Sequence, residues 1–306
     1  MTKNKSSYLY VSLATLLWSP SPAVGKLLLR NLNSLQVLLF TFFVAAASLF
    51  IIVLYQKKLT LIKEFQLKDY FTFAYMGFLG VFLYNIFLFT GLMLSSAQEA
   101  FIVNYTWPVW VVIFAIILIK EPFSIKTVIA IILGFLGVFV VVTKGNIFSF
   151  NHAHYKGDLC AFAGAVSYGL FSVLGKKHNY DKFISMMFYY GFSFIFILII
   201  TVSFVHIPAI TIFDLLGILW FGIFTSGLAY VFWFLALKYG DTAKMSNIIF
   251  LTPFISLLFI YFLIGEKIYY SSILGLIIIV GGIVIQSTSI SKRSNYNRLF
   301  NDYQEE

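Results

Sequence analysis

Ten apolar stretches follow one another along this chain, with almost no charge inside them. They are Tyr8–Leu29, Leu35–Tyr55, Tyr70–Leu94, Ala97–Ile119, Thr127–Thr143, Leu159–Gly175, Phe183–Val205, Phe213–Leu237, Ala243–Ile264 and Tyr270–Ile290. A helix needs about 20 apolar residues to cross the hydrocarbon of a bilayer, and each stretch meets that length. The composition leaves little alternative: 60% of the 306 residues are hydrophobic and 11% charged, where a soluble domain carries about 25% charged residues. One globular core cannot hide that excess, so lipid is the expected solvent and the fold class is an all-α integral membrane protein. The first run is longer than the apolar core of a signal peptide and lacks a small-residue cleavage site, so we expect it to be kept as a span.

The gaps are short, which makes neighbouring spans antiparallel. Fifteen of the 21 Lys and Arg fall in one alternate set of gaps, including Lys57, Lys58, Lys176, Lys177 and Arg293. Four, Arg30, Lys144, Lys156 and Lys267, fall in the other, while Lys26 and Lys244 lie within span ends. Positive residues collect on the cytoplasmic side, so both termini are expected there. The net charge of +9 is then an orientation signal and not a nucleic-acid footprint, because no basic face is clustered.

The two halves repeat. A shift of 145 residues lays Pro108 on Pro253, Phe114 on Phe259, Glu121 on Glu266 and Gly137 on Gly282. A shift of 150 lays Gly25-Lys26 on Gly175-Lys176. The organisation expected is a first five-helix unit over residues 8–143, a second over 157–290, and a polar cytoplasmic tail over 291–306. Five is odd, so the second unit crosses in the opposite sense: ten transmembrane helices as two inverted five-helix repeats. Inverted repeats are characteristic of secondary transporters, which bind substrate near the midplane between the halves.

Ten spans in two halves, with Lys120-Glu121 and Gly265-Glu266 closing the fourth and ninth, resemble the drug/metabolite transporter superfamily and within it the EamA-type transporters. Gly265-Glu266 matches that family's Gly-Glu pattern; the first half has Lys in place of Gly. The stretch Glu99-Ala-Phe-Ile-Val-Asn-Tyr-Thr-Trp-Pro108 and the opening Leu17-Trp18-Ser19 look like the YddG-type branch of aromatic amino-acid exporters. The resemblance implies export or permeation of a small metabolite, an amino acid or related amphipathic compound, across a bacterial inner membrane.

Glu99 is the one acid well inside a span. It serves either as a carboxylate on the positive end of the helix dipole or as a substrate ligand or protonatable switch. At 100° per residue, Glu99, Val103, Trp107 and Trp110 share a broad face with Asn104 at its edge, an aromatic floor suited to a flat ligand. Trp18, Tyr168, Tyr230 and Trp233 are further candidates for the cavity wall, each equally at home in packing. Pro108 and Pro253 sit mid-span and are expected to kink their helices, with a gating role or none. Gly134, Gly137, Gly275, Gly281 and Gly282 offer small faces for helix contact. His152, His154, His178 and His206 lie in loops, with no His–carboxylate pair expected across the bilayer. The lone Cys160 excludes an internal disulfide and a cysteine metal site. No phosphate-binding glycine loop, zinc motif or nucleophile elbow is present, and we expect no cofactor, no metal and no catalysis. The expected partners are the bilayer and a small-molecule substrate, with the chain a monomer or weak homodimer. A membrane-embedded enzyme and a non-transporting receptor or scaffold are the alternatives. The first lacks a polar catalytic cluster at one depth, and the second lacks a large loop domain.

Overall fold

The computed structural model describes residues 3–120, 125–143, 154–176, 178, 180–204, 209–239, 248, 251–282 and 284–285. Among these the regular structure is helical throughout. The first span is two helices, α1 (Lys3–Trp18) and α2 (Ser21–Leu28), and the second is α3 (Ser34–Tyr55). A short helix, α4 (Leu59–Ile62), precedes the third span, which joins α5 (Leu67–Gly77), a π-helical segment π1 (Phe78–Leu83) and α6 (Tyr84–Leu94). The fourth is again split, into α7 (Ala97–Asn104) and α8 (Trp107–Ile119). Helices α9 (Ile125–Val142), α10 (Tyr155–Lys176) and α11 (Lys182–Phe204) follow. The eighth joins α12 (Ile212–Leu219), π2 (Trp220–Leu228) and α13 (Ala229–Tyr239), and α14 (Thr252–Ile264) precedes α15 (Tyr270–Gly282).

Five of these runs are long and apolar enough to cross a bilayer unbroken: Ser34–Tyr55, Leu67–Leu94, Tyr155–Gly175, Lys182–Thr201 and Ile212–Ala236. Ile131–Val141, α14 and α15 are shorter apolar helices. The first and fourth spans are interrupted where their sequences carry proline, at Pro20-Ser21-Pro22 and just before Pro108. Outward faces are crowded with exposed Phe43, Ile51, Leu136, Ile199 and Phe262. Water would penalise that surface at about 25 cal/mol per Å², whereas lipid does not, and the protein is a multi-pass membrane protein.

Local chemistry starts several helices. Asn33 caps α3 in a reciprocal box with Gln36, and Thr211 and Asp214 do the same for α12. Such boxes satisfy the free amides of a first turn. Gly265, at φ +78°, ends α14 in the left-handed conformation. Lys120, its counterpart under the 145-residue shift, ends α8 at φ +55°. A side chain there costs roughly 1 kcal/mol that glycine avoids, so the departure from Gly-Glu keeps the backbone turn. Glu121 and Lys244 lie outside the described residues.

The prolines do not kink continuous helices. Pro253 occupies the first turn of α14, and Pro108 is the second residue of α8, after a break at Tyr105-Thr106. A first-turn proline removes only an amide that has no intrahelical partner. Glycine packing is uneven. A Cβ on Gly137 would stand 2.6 Å from the Gly275 carbonyl, and one on Gly275 would stand 2.6 Å from that of Gly137, so α9 and α15 cross backbone to backbone. A Cβ on Gly281 would meet nothing within 4 Å, so that position presents no close face.

The core lies between α3, the third span, α10 and α11. Phe73 stacks on Phe188 at 4.9 Å, and a Cβ on Gly80 would lie 2.0 Å from the Phe171 ring. Polar contacts between elements join span ends that antiparallel crossing puts on one side. Lys58 pairs with Asp181 at 2.8 Å and the Tyr180 hydroxyl donates to Asp69 at 2.7 Å. At the other side Asn31 donates to Asp214 at 3.1 Å.

Candidate functional site: an aromatic cavity and a polar clasp

The two π-helical segments lie at corresponding places, π2 covering the positions of π1 after the 145-residue shift. A π turn frees carbonyls from the α ladder, and in a membrane they need other donors. Ser167 donates to Leu79 O at 2.6 Å and Asn85 to Val81 O at 2.8 Å; in the other segment Trp18 Nε1 donates to Thr225 O at 3.1 Å. Polar side chains are thereby drawn to the middle of the molecule.

Around them lies a cavity of about 60 Å³. The end of α1 and start of α2 supply Trp18 and Ser21, and α6 supplies Tyr84 and Asn85. The α7–α8 break supplies Asn104, Tyr105 and Trp107; α10 adds Tyr168, π2 adds Thr225 and Ser226, and α13 adds Tyr230. No lining residue is charged. The rings interlock: Trp107 meets Tyr168 edge-on at 5.1 Å, Trp18 meets Tyr230 edge-on at 5.2 Å, and Tyr84 lies 4.9 Å from Tyr168. Asn104 is 2% exposed and donates to the Tyr84 hydroxyl at 3.3 Å. Its Oδ1 is buried without a hydrogen-bond partner, on the side of Gly164, where a Cβ would stand 3.6 Å from it. Ligand pockets measure about 300–1,000 Å³, so this cavity is contracted to water-sized contents, and a larger solute needs its walls to part.

Of the residues singled out in the sequence, Trp18, Asn104, Trp107, Tyr168 and Tyr230 line this space. Three do not. Trp110 packs against Phe162 at 5.4 Å and Phe135 at 6.1 Å, on the α9–α10 side. Trp233 stands behind Trp18 at 6.3 Å, in a second core cluster with Val11 and Leu257. Glu99 lies at the far end of α7. The face drawn through Glu99, Trp107 and Trp110 assumed one continuous helix; the break at Tyr105-Thr106 resets the phase and separates them. Tyr84, Asn85, Thr225 and Ser226 were not anticipated. Asn85 carried a legible signal, since a carboxamide in mid-span needs a partner.

Glu99 belongs to a clasp where α6 turns into α7. Ser96 Oγ accepts from the Glu99 amide at 3.1 Å, capping α7. Gly265 turns the chain so that Glu266 reaches the same helix start, accepting from the amides of Ala97 at 3.1 Å and Gln98 at 3.4 Å. The Gln98 side chain donates to Lys267 O at 2.7 Å. Lys26 donates to Leu92 O and Ser95 O, the carbonyl end of α6. Cation on the carbonyl end and anion on the amide end is the arrangement helix dipoles favour. Glu99 itself, 2% exposed, is paired through Oε2 with His154 Nδ1 at 2.9 Å. Folding thus brings a loop histidine onto the acid near the start of the fourth span, a contact that the sequence reading did not foresee. Beside them Ser95 donates to Asp158 at 3.2 Å. Among the described residues no group of three His, Cys, Asp or Glu side chains is arranged to hold a metal ion.

The centre of the molecule is thus an aromatic, uncharged cavity lined from broken membrane helices, with a polar clasp at the start of α7. The chain belongs to the EamA-like transporter family, whose model matches it twice, over residues 5–143 and 155–288. It is 28% identical over 263 residues to the uncharacterized transporter YyaM of Bacillus subtilis, covering 84% of this chain and 85% of that one. An uncharacterized transporter of Clostridium kluyveri is 23% identical, covering 97% of this chain and 98% of the relative. The aromatic amino acid exporter YddG of Ancylobacter novellus is 31% identical over 102 residues, 33% of this chain and 36% of that one. A solved crystal structure at 21% identity superposes with a TM-score of 0.67, covering 95% of this chain and 99% of that one, and shares the fold.

Proposed function

We propose that the protein is a secondary transporter of small, flat, uncharged or zwitterionic metabolites, aromatic amino acids being the class that fits best. It works by alternating access between two five-helix halves of inverted topology. The observation that carries this reading is the cavity itself: tryptophan and tyrosine walls, hydroxyls from both halves and no charged side chain, with a carboxamide oxygen buried unpartnered in its wall. A flat ring gains from edge and face contacts with such walls, and their hydroxyls can both donate and accept. The partial likeness to an aromatic amino acid exporter points the same way. The contracted volume fits a cycle in which the walls part first to one side and then to the other. The test is purified protein in liposomes loaded with unlabelled tryptophan or phenylalanine and presented with the labelled amino acid. Exchange saturating with concentration is expected; wild-type protein that moves neither these nor other neutral amino acids above empty liposomes sinks the reading.

The same proposal puts the protein in a bacterial inner membrane with both termini cytoplasmic, on the strength of the Lys and Arg asymmetry. In a Cys160→Ser background, Ser149→Cys should react with an impermeant thiol reagent in intact cells, and Ser6→Cys only after permeabilisation. The reverse pattern inverts the orientation.

A further inference from the structure

The cavity wall holds one acceptor whose direction the fold fixes. Asn85 is the second residue of α6, and its Nδ2 donates to Val81 O in π1 at 2.8 Å. Only the amide nitrogen can meet a carbonyl, so the carboxamide cannot turn over without losing that bond. Oδ1 is thereby aimed away from Val81. It takes no hydrogen bond from any described residue. The buried side-chain atoms left without a partner include Asn104 Oδ1 but not Asn85 Oδ1. Since Asn85 lines the cavity, its oxygen opens onto that space where the Asn104 oxygen is sealed in the wall.

We propose that Asn85 sets the specificity of this cavity, its Oδ1 accepting a hydrogen bond from the ammonium group of an amino-acid substrate. The proposal rests on the transport reading above and names the group on the substrate that is recognised. No charged side chain lines the cavity, so a solute of net charge would lie there uncompensated, whereas a zwitterion brings both charges with it. Its ammonium can only donate, and it needs oxygen acceptors at fixed places. The other polar groups on the wall discriminate less. Ser21 and Thr225 lie 3.2 Å apart and are occupied with each other, and the hydroxyls of Tyr84, Tyr168 and Tyr230 can turn to donate or accept. The Asn85 oxygen, held by π1, can only accept. An analogue without the amine leaves that acceptor unpaired in a confined space, and the loss of such a bond to a charged group costs about tenfold or more in affinity.

The experiment measures inhibition of labelled phenylalanine exchange in proteoliposomes by unlabelled phenylalanine and by 3-phenylpropionate, which keeps the ring and carboxylate but lacks the amine. Phenylalanine has no ring N–H, so its one strong donor is the ammonium. Wild-type protein is expected to prefer phenylalanine by about tenfold or more. In Asn85→Ser the shorter side chain can still donate to the carbonyl one turn back, so Val81 O keeps a partner while the carboxamide oxygen is gone. Its inhibition constant for phenylalanine should rise about tenfold, and that for 3-phenylpropionate should stay near the wild-type value. A purely structural role for Asn85 moves both constants together, or neither, and either result overturns the proposal. The wild-type comparison stands even if Asn85→Ser does not fold: equal potency of the two compounds on wild-type protein also overturns it. Failure of wild-type protein to exchange phenylalanine or any other neutral amino acid would instead count against the transport reading.

Discussion

Replacing Trp107 by alanine is expected to raise the KM for an aromatic substrate about tenfold, with protein that still folds and inserts. Trp107 stands in the first turn of α8 and meets Tyr168 edge-on at 5.1 Å across the cavity wall. A ring pair is worth roughly 0.5–1.5 kcal/mol beyond simple burial, and the lost indole face removes a comparable area of contact with substrate. Because Trp107 is only partly buried, the vacated volume joins a cavity that already exists, so the fold should tolerate it. Trp107→Phe should recover most of the affinity by keeping a ring in place. KM values measured by exchange, beside size-exclusion profiles of the purified variants, decide the matter. An alanine variant with wild-type KM removes Trp107 from the binding surface.

Glu266→Ala should produce the largest loss of stability of any single change at the clasp. Two amides at the start of α7 donate to its carboxylate, and Ala97 and Gln98 are buried. An unsatisfied buried donor costs about 1–3 kcal/mol, and the missing anion forfeits about half a kcal/mol of helix-dipole energy. Glu266 is partly exposed, so water recovers a share, and a net loss near 2 kcal/mol is expected. Thermal unfolding in detergent should show a clear fall in midpoint for alanine and a smaller one for Glu266→Gln, which keeps an acceptor. Equal midpoints for wild type and Glu266→Ala would mean that the carboxylate does not hold α7.

How much of this was legible beforehand divides along physical lines. The all-helical membrane class was legible, because bilayer thickness fixes the length of an apolar run, and five of the expected runs are helices long and apolar enough to cross unbroken. The Gly265-Glu266 pair was recognised as a pattern, yet its work was not: glycine ends one helix so that glutamate can cap another, a contact bridging 169 residues. The Glu99–His154 pair spans 55 residues and joins a span to a loop, which periodicity cannot foresee. Trp110 was assigned to the cavity by angular arithmetic on an unbroken helix. The Tyr105-Thr106 break voids that arithmetic, since proline at 108 marks a fresh helix start and not a bend.

The π segments have a consequence for how such a protein tolerates changes of length. A π turn holds one residue more than an α turn, and that surplus rotates everything beyond it by about 100° relative to an uninterrupted helix. Between Phe78 and Leu83 the surplus is already absorbed, and it is what aims Tyr84 and Asn85 inward. Loss of a single residue there would relax the turn to ordinary α geometry and leave both flanking helices facing as before. The same loss a few residues to either side would swing Tyr84 and Asn85 toward lipid, where a hydroxyl and a carboxamide have no partners. Insertions and deletions in this family should therefore be tolerated at one short address inside a spanning helix and refused along the rest of it.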